Sequence, residues 1–247
     1  TYQADLGKRA VMQGAAIFQS FTIPGRLPHF SGAEGQLRRA AISMAINRQE
    51  IIDKIFNGTR QPAADFTSPV IAGWSKTLAG ADVLKYNPTE AKKLWDEANK
   101  ISPWSGKFQI GYNADGGHQG WVDAVTNSIK NTLGIDASGS PTATFAAFRT
   151  AITDKSMMTA FRTGWQADYP ALSNFLEPLY QTAAGANDGQ YSNPAVDKLF
   201  NEANSAKSLD AANKLFQQAQ EILLKDLPAI PMWYGITDGG YGTKVSN

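Results

Sequence analysis

The sequence predicts an α/β fold with parallel strand pairing. Between residues 108 and 165 the spacing of the apolar residues changes repeatedly, in the order strand, helix, strand, helix, strand. Chains that alternate in this way form parallel sheets with right-handed crossovers and helices on the sheet faces. The 247 residues, of which 43% are apolar, suffice for a substantial core, and no compositional break separates two domains.

Charge and cysteine content exclude several classes of function. The 23 Lys and Arg residues nearly balance the 22 Asp and Glu residues, so nothing indicates nucleic acid or an anionic membrane surface as a partner. The chain has no cysteine, which excludes disulfides, thiolate catalysis and cysteine-based zinc sites. It begins at Thr1 without a methionine or a signal-like segment, so we expect that the N-terminal part of a larger precursor is missing.

The first part of the chain is predicted to contain an extended segment followed by three helices. The apolar patch Ala15–Phe18 precedes a loop rich in proline and glycine, and helical spacing begins at Gly35. Asn47 is a predicted N-cap that forms a capping box with the residue three positions later. The pair Asn57–Gly58 indicates a left-handed helix end, and Asn87–Pro88 a third helix start.

The second part contains the alternating region and two further helices. Strands are predicted over 108–112, 135–137 and 157–165, and helices over 121–133 and after the N-cap Thr144. A short helix is predicted near 175–180. Two more helices follow Asn193–Pro194 and begin near Asp210, and residues 229–234 are predicted to be extended.

Glycine, tryptophan and a carboxylate lie close together in the stretch from Arg162 to Pro170. Pro170 prevents the preceding strand from continuing, so Asp168 is expected at the strand end or in the loop beyond it. Ligands of α/β proteins bind at the carboxyl ends of strands, so this position favours a binding role. Local sequence leaves a purely structural alternative open, in which Trp165 packs in the core and Asp168 makes a turn.

The sequence predicts no catalytic, metal or cofactor site. His29 and His118 have no second histidine at ligand spacing, and no glycine-rich nucleotide loop or Gly-x-Ser-x-Gly elbow occurs. Asp96 and Glu97 lie on a predicted solvent face. His118 follows a glycine-bearing turn at the carboxyl end of the 108–112 strand, so it is expected at the same sheet edge as Asp168; a simply solvated turn histidine is the alternative.

Five stretches, in order along the chain, resemble motifs of one family. They are Leu37–Arg48 ("vRrAlsyAiDR"), Tyr86–Leu94 ("YdpekAkkLL"), Gly164–Pro170 ("GW.aDYpdP"), Tyr191–Asp197 ("YsNpefD") and Leu227–Tyr234 ("aPviPlyy"). Together they resemble the solute-binding proteins of peptide-import ABC transporters, extracytoplasmic family 5. The chain departs from the pattern at Asn47, where aspartate is usual, and at Ala171–Leu172, which replaces Asp-Pro.

The resemblance implies a two-lobed protein of which this chain supplies one lobe. The expected fold is α/β, the C-terminal lobe of a type II periplasmic-binding-protein-like fold, with a mixed sheet flanked by helices. Residues 1–30 would be a crossing segment from the missing N-terminal lobe. Residues 31–232 would form the C-terminal peptide-binding lobe, and residues 233–247 a return segment toward the N-terminal lobe.

The resemblance also implies a set of ligand-binding residues. Asp168 would hold the α-amino group of a peptide, and the strand around Gly164 would pair with the peptide backbone. Some relatives meet the peptide carboxylate at the positions of Arg162 and His118. The implied ligand-binding set is Asp168, Gly164, Trp165, Gln166, Arg162, His118 and Tyr169.

The implied function is that of the solute-binding component of an ABC importer. The protein would act outside the cytoplasm, in the periplasm or at the cell surface, as a monomer without cofactor, and would deliver oligopeptides to a membrane permease. One alternative is the same scaffold binding an oligosaccharide, nickel or another small solute, although Asp168 favours an amine. A hydrolase or an adhesion module on this scaffold is the other.

Overall fold

The computed structural model of the protein describes residues 2–245, with side chains from residue 4 onward. In this part of the chain six strands form one mixed sheet in the order β2-β6-β1-β5-β3-β4. The strands are β1 (Ala10–Thr22), β2 (Gln61–Pro62), β3 (Phe108–Asn113), β4 (Ala137–Thr142), β5 (Ala160–Gln166) and β6 (Ala229–Gly240).

Helices flank the sheet, as the sequence predicts. They are α1 (Tyr2–Leu6), α2 (Gly32–Met44), α3 (Arg48–Phe56), α4 (Pro88–Ile101), α5 (Gln119–Leu133), α6 (Phe145–Thr153), α7 (Leu172–Tyr180), α8 (Pro194–Asn204) and α9 (Leu209–Asp226). Most of the buried apolar side chains form one core cluster, and a small second cluster lies between α6 and β5.

The alternating region forms the predicted parallel pairs. β3 pairs in parallel with β4, to which α5 connects it, and also with β5, which follows α6. Two predicted strand limits are wrong: β4 begins at Ala137 rather than at 135, and β5 begins at Ala160 rather than at 157. Met157 instead donates its N–H to the Ala151 carbonyl (3.0 Å) and packs against Phe161, because a turn at Lys155 (φ 60°) folds the chain back onto α6.

β1 is a central strand with antiparallel neighbours on both sides. It pairs with β5 from Ile17 opposite Gln166 to Thr22 opposite Phe161. It pairs with β6 over residues 10–14 and 18–22, with a shift of register between Gly14 and Phe18. The extended segment predicted around Ala15–Phe18 therefore belongs to the middle of the sheet. Residues 10–14 pair only with β6, so this end of β1 continues past the end of β5 as a two-stranded ribbon.

The predicted helix caps are confirmed, with one difference in hydrogen bonding. The side chains of Asn87, Thr144 and Asn193 each accept a hydrogen bond from a backbone N–H in the first helical turn. Asn47 accepts from the Glu50 N–H (3.3 Å), but its own N–H donates to the Ser128 hydroxyl (3.2 Å) instead of to Glu50. The capping box is thus only half formed, because α5 packs against this helix start.

A buried arginine connects three parts of the chain. Arg48 donates hydrogen bonds to the backbone carbonyls of Ser43 (2.9 Å), Leu84 (2.7 Å) and Pro231 (2.8 Å). Burial without a carboxylate partner lowers the pKa of the Arg48 guanidinium to about 9. The end of α2, the turn before α4 and the strand β6 are therefore held together by one side chain.

A buried carboxyl group couples the stability of the fold to pH. Asp65 accepts hydrogen bonds from the Thr67 N–H, the Thr67 hydroxyl and the Tyr234 hydroxyl, each at 2.8 Å. Burial raises the pKa of Asp65 to about 6 even though these hydrogen bonds act in the opposite direction. The folded protein therefore holds this proton more tightly than the unfolded chain does.

Replacing Arg48 with methionine is expected to lower the free energy of unfolding by about 3 kcal/mol. The substitution removes the Arg48 hydrogen bonds to the carbonyls of Ser43, Leu84 and Pro231. Denaturant unfolding followed by circular dichroism measures the loss of stability. Lys92→Met, on the exposed side of α4, is the matched control and should change the stability little. Equal stability of the two variants would contradict the role assigned to Arg48.

The wild type is expected to lose stability relative to Asp65→Asn as the pH rises from about 4 to about 7, by at most about 3 kcal/mol. The folded-state pKa lies above the unfolded value, so the contribution is complete at low pH and disappears as Asp65 ionises near pH 6. Thermal melting of both proteins across this range measures the difference. If the melting temperatures of the two proteins changed with pH in the same way, Asp65 would not titrate in this window.

Candidate ligand-binding site

The carboxyl-terminal half of β5 has one unpaired edge. β3 pairs with β5 only at Ala160 and Phe161, whereas β1 accompanies β5 to Gln166. The Ala167 N–H donates to a β1 carbonyl at 2.9 Å, and backbone groups alternate in direction along a strand. The backbone groups of Gly164 and Gln166 therefore point away from β1, toward an edge at which no strand of residues 2–245 pairs.

A loop organised by Asn174 follows this edge. The buried Asn174 side chain accepts hydrogen bonds from the Trp165 indole N–H (3.1 Å) and from the Asp168 backbone N–H (2.9 Å). It thereby orients the tryptophan and the residue that carries the carboxylate together. Sequence reasoning missed Asn174; its only signal is a polar residue within the apolar stripe of α7.

The predicted carboxylate lies in the open. Asp168 is exposed two residues beyond β5, and its carboxylate accepts no hydrogen bond from the residues that the structure describes. Tyr169, also exposed, lies with its hydroxyl 3.4 Å from the Ser173 hydroxyl, and the Gln166 side chain faces solvent. The structure therefore presents Asp168 as an unpaired negative charge at the end of a free strand edge.

Arg162 is a partly buried cation near the start of the same edge. Its Nε (2.9 Å) and one terminal nitrogen (2.5 Å) donate to the side-chain carbonyl of Asn113, the last residue of β3. The guanidinium carbon lies 5.3 Å from the ring centroids of both Phe145 and Phe148. Burial and the positive charge of Arg149 lower the pKa of Arg162, and no carboxylate among the described residues forms an ion pair with it.

His118 is a neighbour of Arg162 and is neutral at physiological pH. Its Nδ1 accepts a hydrogen bond from the Trp121 indole N–H at 3.1 Å, which requires that the proton of the neutral ring sit on Nε2. Burial, followed by the positive charge of Arg162, lowers the pKa of His118 to about 4, although Asp115 acts in the opposite direction. Arg162 and His118 are therefore close enough for their charges to interact.

Asp115 connects the end of β3 to the start of α6. Its carboxylate accepts from the Asn113 side-chain amide (2.6 Å) and from the Phe145 N–H (3.0 Å). Asn113 is thus held from one side and accepts Arg162 on the other. Asn113 and Asp115 belong to the glycine-bearing turn that precedes His118. The sequence does not indicate their roles, because these depend on contacts with β5 and α6.

Asp168 and His118 both follow the carboxyl ends of parallel strands, β5 and β3, at different positions along the sheet. The β3–β5 register, Gly111 opposite Phe161, sets Asn113 level with Thr163 when it is extended. Asp168 is five residues further along, which corresponds to about 17 Å in an extended strand. Along β5 the carboxylate of Asp168 therefore lies well beyond the cation Arg162, and His118 follows the neighbouring strand β3.

A cavity of about 210 Å³ opens on one face of the sheet beside this edge. Its floor comes from directly paired residues of β1 and β5, which share a face: Phe18 with Trp165, and Ser20 with Thr163. Its walls come from α6, α7 and the loop between α7 and α8. Arg162 and Gly164 also line it, whereas Asp168, Gln166, Tyr169 and His118 do not.

The loop over this cavity is ordered by specific contacts. The Asn187 side-chain amide donates to the carbonyls of Gln181 (2.9 Å) and Tyr191 (2.7 Å) and accepts from the Tyr191 N–H (3.0 Å). Asp188 forms a two-point ion pair with Arg149 of α6, at 2.6 and 3.2 Å. The loop therefore closes one side of the cavity as a fixed wall.

No group of three His, Asp or Glu side chains within residues 2–245 is arranged to hold a metal ion. In the same range, none of the helices combines the length and the apolar character that a bilayer crossing requires.

Comparison with known proteins identifies the family. The pattern described as "Bacterial extracellular solute-binding proteins, family 5 Middle" matches residues 36–187, more than half of the chain. The chain is 28% identical over 205 residues to the periplasmic murein peptide-binding protein MppA of Escherichia coli, covering 81% of this chain and 37% of that protein. It is 29% identical over 200 residues to the probable deoxycholate-binding periplasmic protein YgiS of Escherichia coli, covering 79% and 36%.

A solved structure shows the same fold. OppA of Burkholderia pseudomallei superposes with a TM-score of 0.85 at 21% identity, over 98% of this chain and 47% of that one. The architecture is type II periplasmic-binding-protein-like, and the chain spans less than half the length of these relatives. From the matched pattern and the shared fold, the chain belongs to the bacterial extracellular solute-binding proteins of family 5.

Proposed function

We propose that this chain is the peptide-holding lobe of an extracytoplasmic solute-binding protein that delivers oligopeptides to the permease of an ABC importer. One observation carries the proposal: the free edge of β5 ends at an unpaired, exposed carboxylate, Asp168. A free strand edge and an isolated negative charge match the two features that all peptides with a free amino end share.

Backbone pairing would supply affinity without regard to side chains. An extended peptide that adds to the free edge of β5 forms hydrogen bonds with the outward backbone groups of Gly164 and Gln166. Its amino end would lie toward Asp168, so it would run antiparallel to β5. Gly164 has no side chain that could obstruct the approach of the peptide backbone.

Charge would fix the position of the amino end. A ligand ammonium beside Asp168 forms a charge-assisted hydrogen bond, which is about twice as strong as a neutral one. The same ammonium can donate to the Gln166 carbonyl two residues earlier. Enclosure by a second lobe would remove water from this pair and strengthen it.

The far end of the edge carries the opposite charge. Arg162 forms no ion pair with the described residues, so a peptide carboxylate would give this partly buried cation a direct counterion. His118, which is neutral, can donate a hydrogen bond from Nε2 to the same group. The long side chain of Arg162 can reach along the edge, so peptides of several lengths would find this counterion.

The names of the relatives support a peptide ligand and also suggest an alternative class of ligand. MppA is a murein peptide-binding protein by its name, whereas YgiS is a probable deoxycholate-binding protein. Deoxycholate is a steroid carboxylate without an amino group, so it could use Arg162 but not Asp168. Another small solute, including an oligosaccharide or nickel, is therefore the alternative ligand class, and dependence on Asp168 separates it from a peptide.

The two-lobed arrangement is part of the proposal. The ribbon formed by residues 10–14 and 236–240 extends beyond the β1–β5 pairing. In this view residues 31–232 belong to the C-terminal lobe, and residues 1–30 and 233–247 lead to an N-terminal lobe, although their strands β1 and β6 take part in the sheet of the C-terminal lobe. We propose that the complete protein works as a monomer in the periplasm or at the cell surface and releases its ligand unchanged, without catalysis.

In the complete protein that contains this chain, Asp168→Asn is expected to weaken binding of a free tripeptide about 100-fold, because the ligand ammonium loses its counterion. Isothermal calorimetry with Ala-Ala-Ala and its N-acetylated form measures the effect. The N-acetylated peptide should bind the wild type about as weakly as the free peptide binds the variant.

Asp96→Asn, on the exposed face of α4, is the matched control and should bind Ala-Ala-Ala like the wild type. Equal wild-type affinity for free and acetylated peptide would refute the amino anchor. Deoxycholate or sugar binding that survives Asp168→Asn, together with no tripeptide binding, would establish the alternative ligand class. Mass spectrometry of the recovered tripeptide separates transport from hydrolysis.

The His118 imidazole is expected to titrate with a pKa of about 4 in an NMR experiment on the protein. Arg162→Gln should raise this pKa because it removes a nearby positive charge. The value should stay below 6.5, since burial is the larger cause of the shift. His29→Gln assigns the two histidine signals.

Arg60→Gln serves as the control for a general change of charge, and the His118 midpoint should not move in it. A wild-type titration midpoint near 6.5 for His118 would show that the ring is freely solvated, which is the alternative given for a histidine in a turn. An unchanged His118 pKa in Arg162→Gln would show that the two side chains do not interact. It would contradict the proposal that both bind the same peptide carboxylate.

A further inference from the structure

The strand geometry determines which ligand residue faces the cavity, given the proposed function. Peptide residues opposite Gln166 and Gly164 form the hydrogen-bonded pairs, so the residue between them lies opposite Trp165. Opposed residues place their side chains on the same face of a sheet, and the Trp165 face is the cavity face. An amino group that meets both the Gln166 carbonyl and Asp168 belongs to residue one, so the second residue enters the cavity.

The cavity requires a long side chain. It extends from β5 across to β1, so its far end is two strand spacings from the peptide, or about 10 Å. Its volume of about 210 Å³ exceeds the roughly 150 Å³ of an apolar cavity that holds benzene. Rings of Phe18, Phe148, Trp165 and Tyr180 line it. An aromatic ring therefore fits both the length and the lining.

The far end of the cavity is polar. The Thr163 hydroxyl lies 2.7 Å from the Ser20 hydroxyl and 3.3 Å from the Thr22 hydroxyl, and all three side chains line the cavity. Each hydroxyl offers one donor and two acceptor positions, so the contacts among the three leave capacity for another partner. An apolar side chain that displaced water from these groups would leave that capacity unmet, at a cost in affinity.

The charges around the cavity disfavour a basic side chain. Arg149 forms an ion pair with Asp188, whereas Arg162 forms none with the described residues. The Asp115 carboxylate acts on Arg162 electrostatically but does not line the cavity. The charged groups that line the cavity are Arg149, Asp188 and Arg162, so a lysine or arginine side chain would enter a site with excess positive charge. The second residue that fits is aromatic, uncharged and polar at its tip.

We infer that the cavity selects tyrosine at the second residue of the peptide, with the phenol hydroxyl bonded to the Ser20, Thr22 and Thr163 hydroxyls. This inference rests on the proposed function and deepens it. Phenylalanine fills the same space but leaves the three hydroxyls without a partner. A site that hydrogen-bonds a ligand hydroxyl discriminates strongly against the analogue that lacks it.

Calorimetry on the complete protein with four tripeptides tests the inference: Ala-Tyr-Ala, Ala-Phe-Ala, Ala-Lys-Ala and Tyr-Ala-Ala. Ala-Tyr-Ala is expected to bind at least about tenfold more tightly than Ala-Phe-Ala, and Ala-Lys-Ala to bind most weakly of those with a varied second residue. Tyr-Ala-Ala should bind more weakly than Ala-Tyr-Ala, because its phenol lies on the opposite face.

The double variant Ser20→Ala, Thr163→Val removes two of the three hydroxyls. Its ratio of affinities for Ala-Tyr-Ala and Ala-Phe-Ala is expected to fall to about one. Ser205→Ala, an exposed hydroxyl beyond the end of α8, is the matched control and should keep the wild-type ratio. Should the double variant fail to fold, the comparison of the four peptides on the wild type decides the inference by itself.

The outcomes separate this inference from the proposed function. Tripeptides that bind with equal affinity for tyrosine and phenylalanine would overturn the selectivity and leave the peptide function intact. Tighter binding of Tyr-Ala-Ala than of Ala-Tyr-Ala would overturn the register. Absence of binding by all four tripeptides would overturn the proposed function, and the inference with it.

Discussion

The candidate site depends on the unequal neighbours of β5. β1 follows β5 to its end, whereas the β3–β5 ladder stops at Phe161, although β3 itself continues to Asn113 beside β4. Strand backbone groups must be hydrogen-bonded or open to water, so an edge left open at the carboxyl end of a central strand is a ready template for an extended chain. The cavity, the carboxylate and the cation are all placed by this edge.

The buried charged groups are hydrogen-bonded within the fold, whereas two charged groups at the free edge of β5 form no ion pair with the described residues. Arg48 is neutralised by carbonyl dipoles inside the core, and Asp65 by hydroxyl and amide donors, so both serve the fold. Asp168 and Arg162, at the two ends of the free edge, form no ion pair with any residue that the structure describes. The charge pattern therefore supports a ligand with an amino end and a carboxylate end.

Local chemistry predicted most of the elements. Asn87 and Thr144 cap helices because their side chains reach backbone donors only three residues away, a contact that depends on no other part of the chain. The limits of β4 and β5 were wrong because they depend on partners: Met157 has strand-like composition but packs back onto α6. The parallel order of β3, β4 and β5 was predictable because a helix separates each strand from the next.

By itself the sequence determined the fold class and the family, and it singled out the stretch from Arg162 to Pro170 as a candidate ligand-binding segment. Each of these depends on residue types and spacing within short segments. Only the tertiary structure decided that Arg162 and His118 are close enough for their charges to interact, because their distance depends on the register of β3 and β5. It also brought Ser20 of β1 beside Thr163 of β5, although 143 residues separate them. Contacts of that sequence separation arise from strand register, which side-chain periodicity alone does not specify.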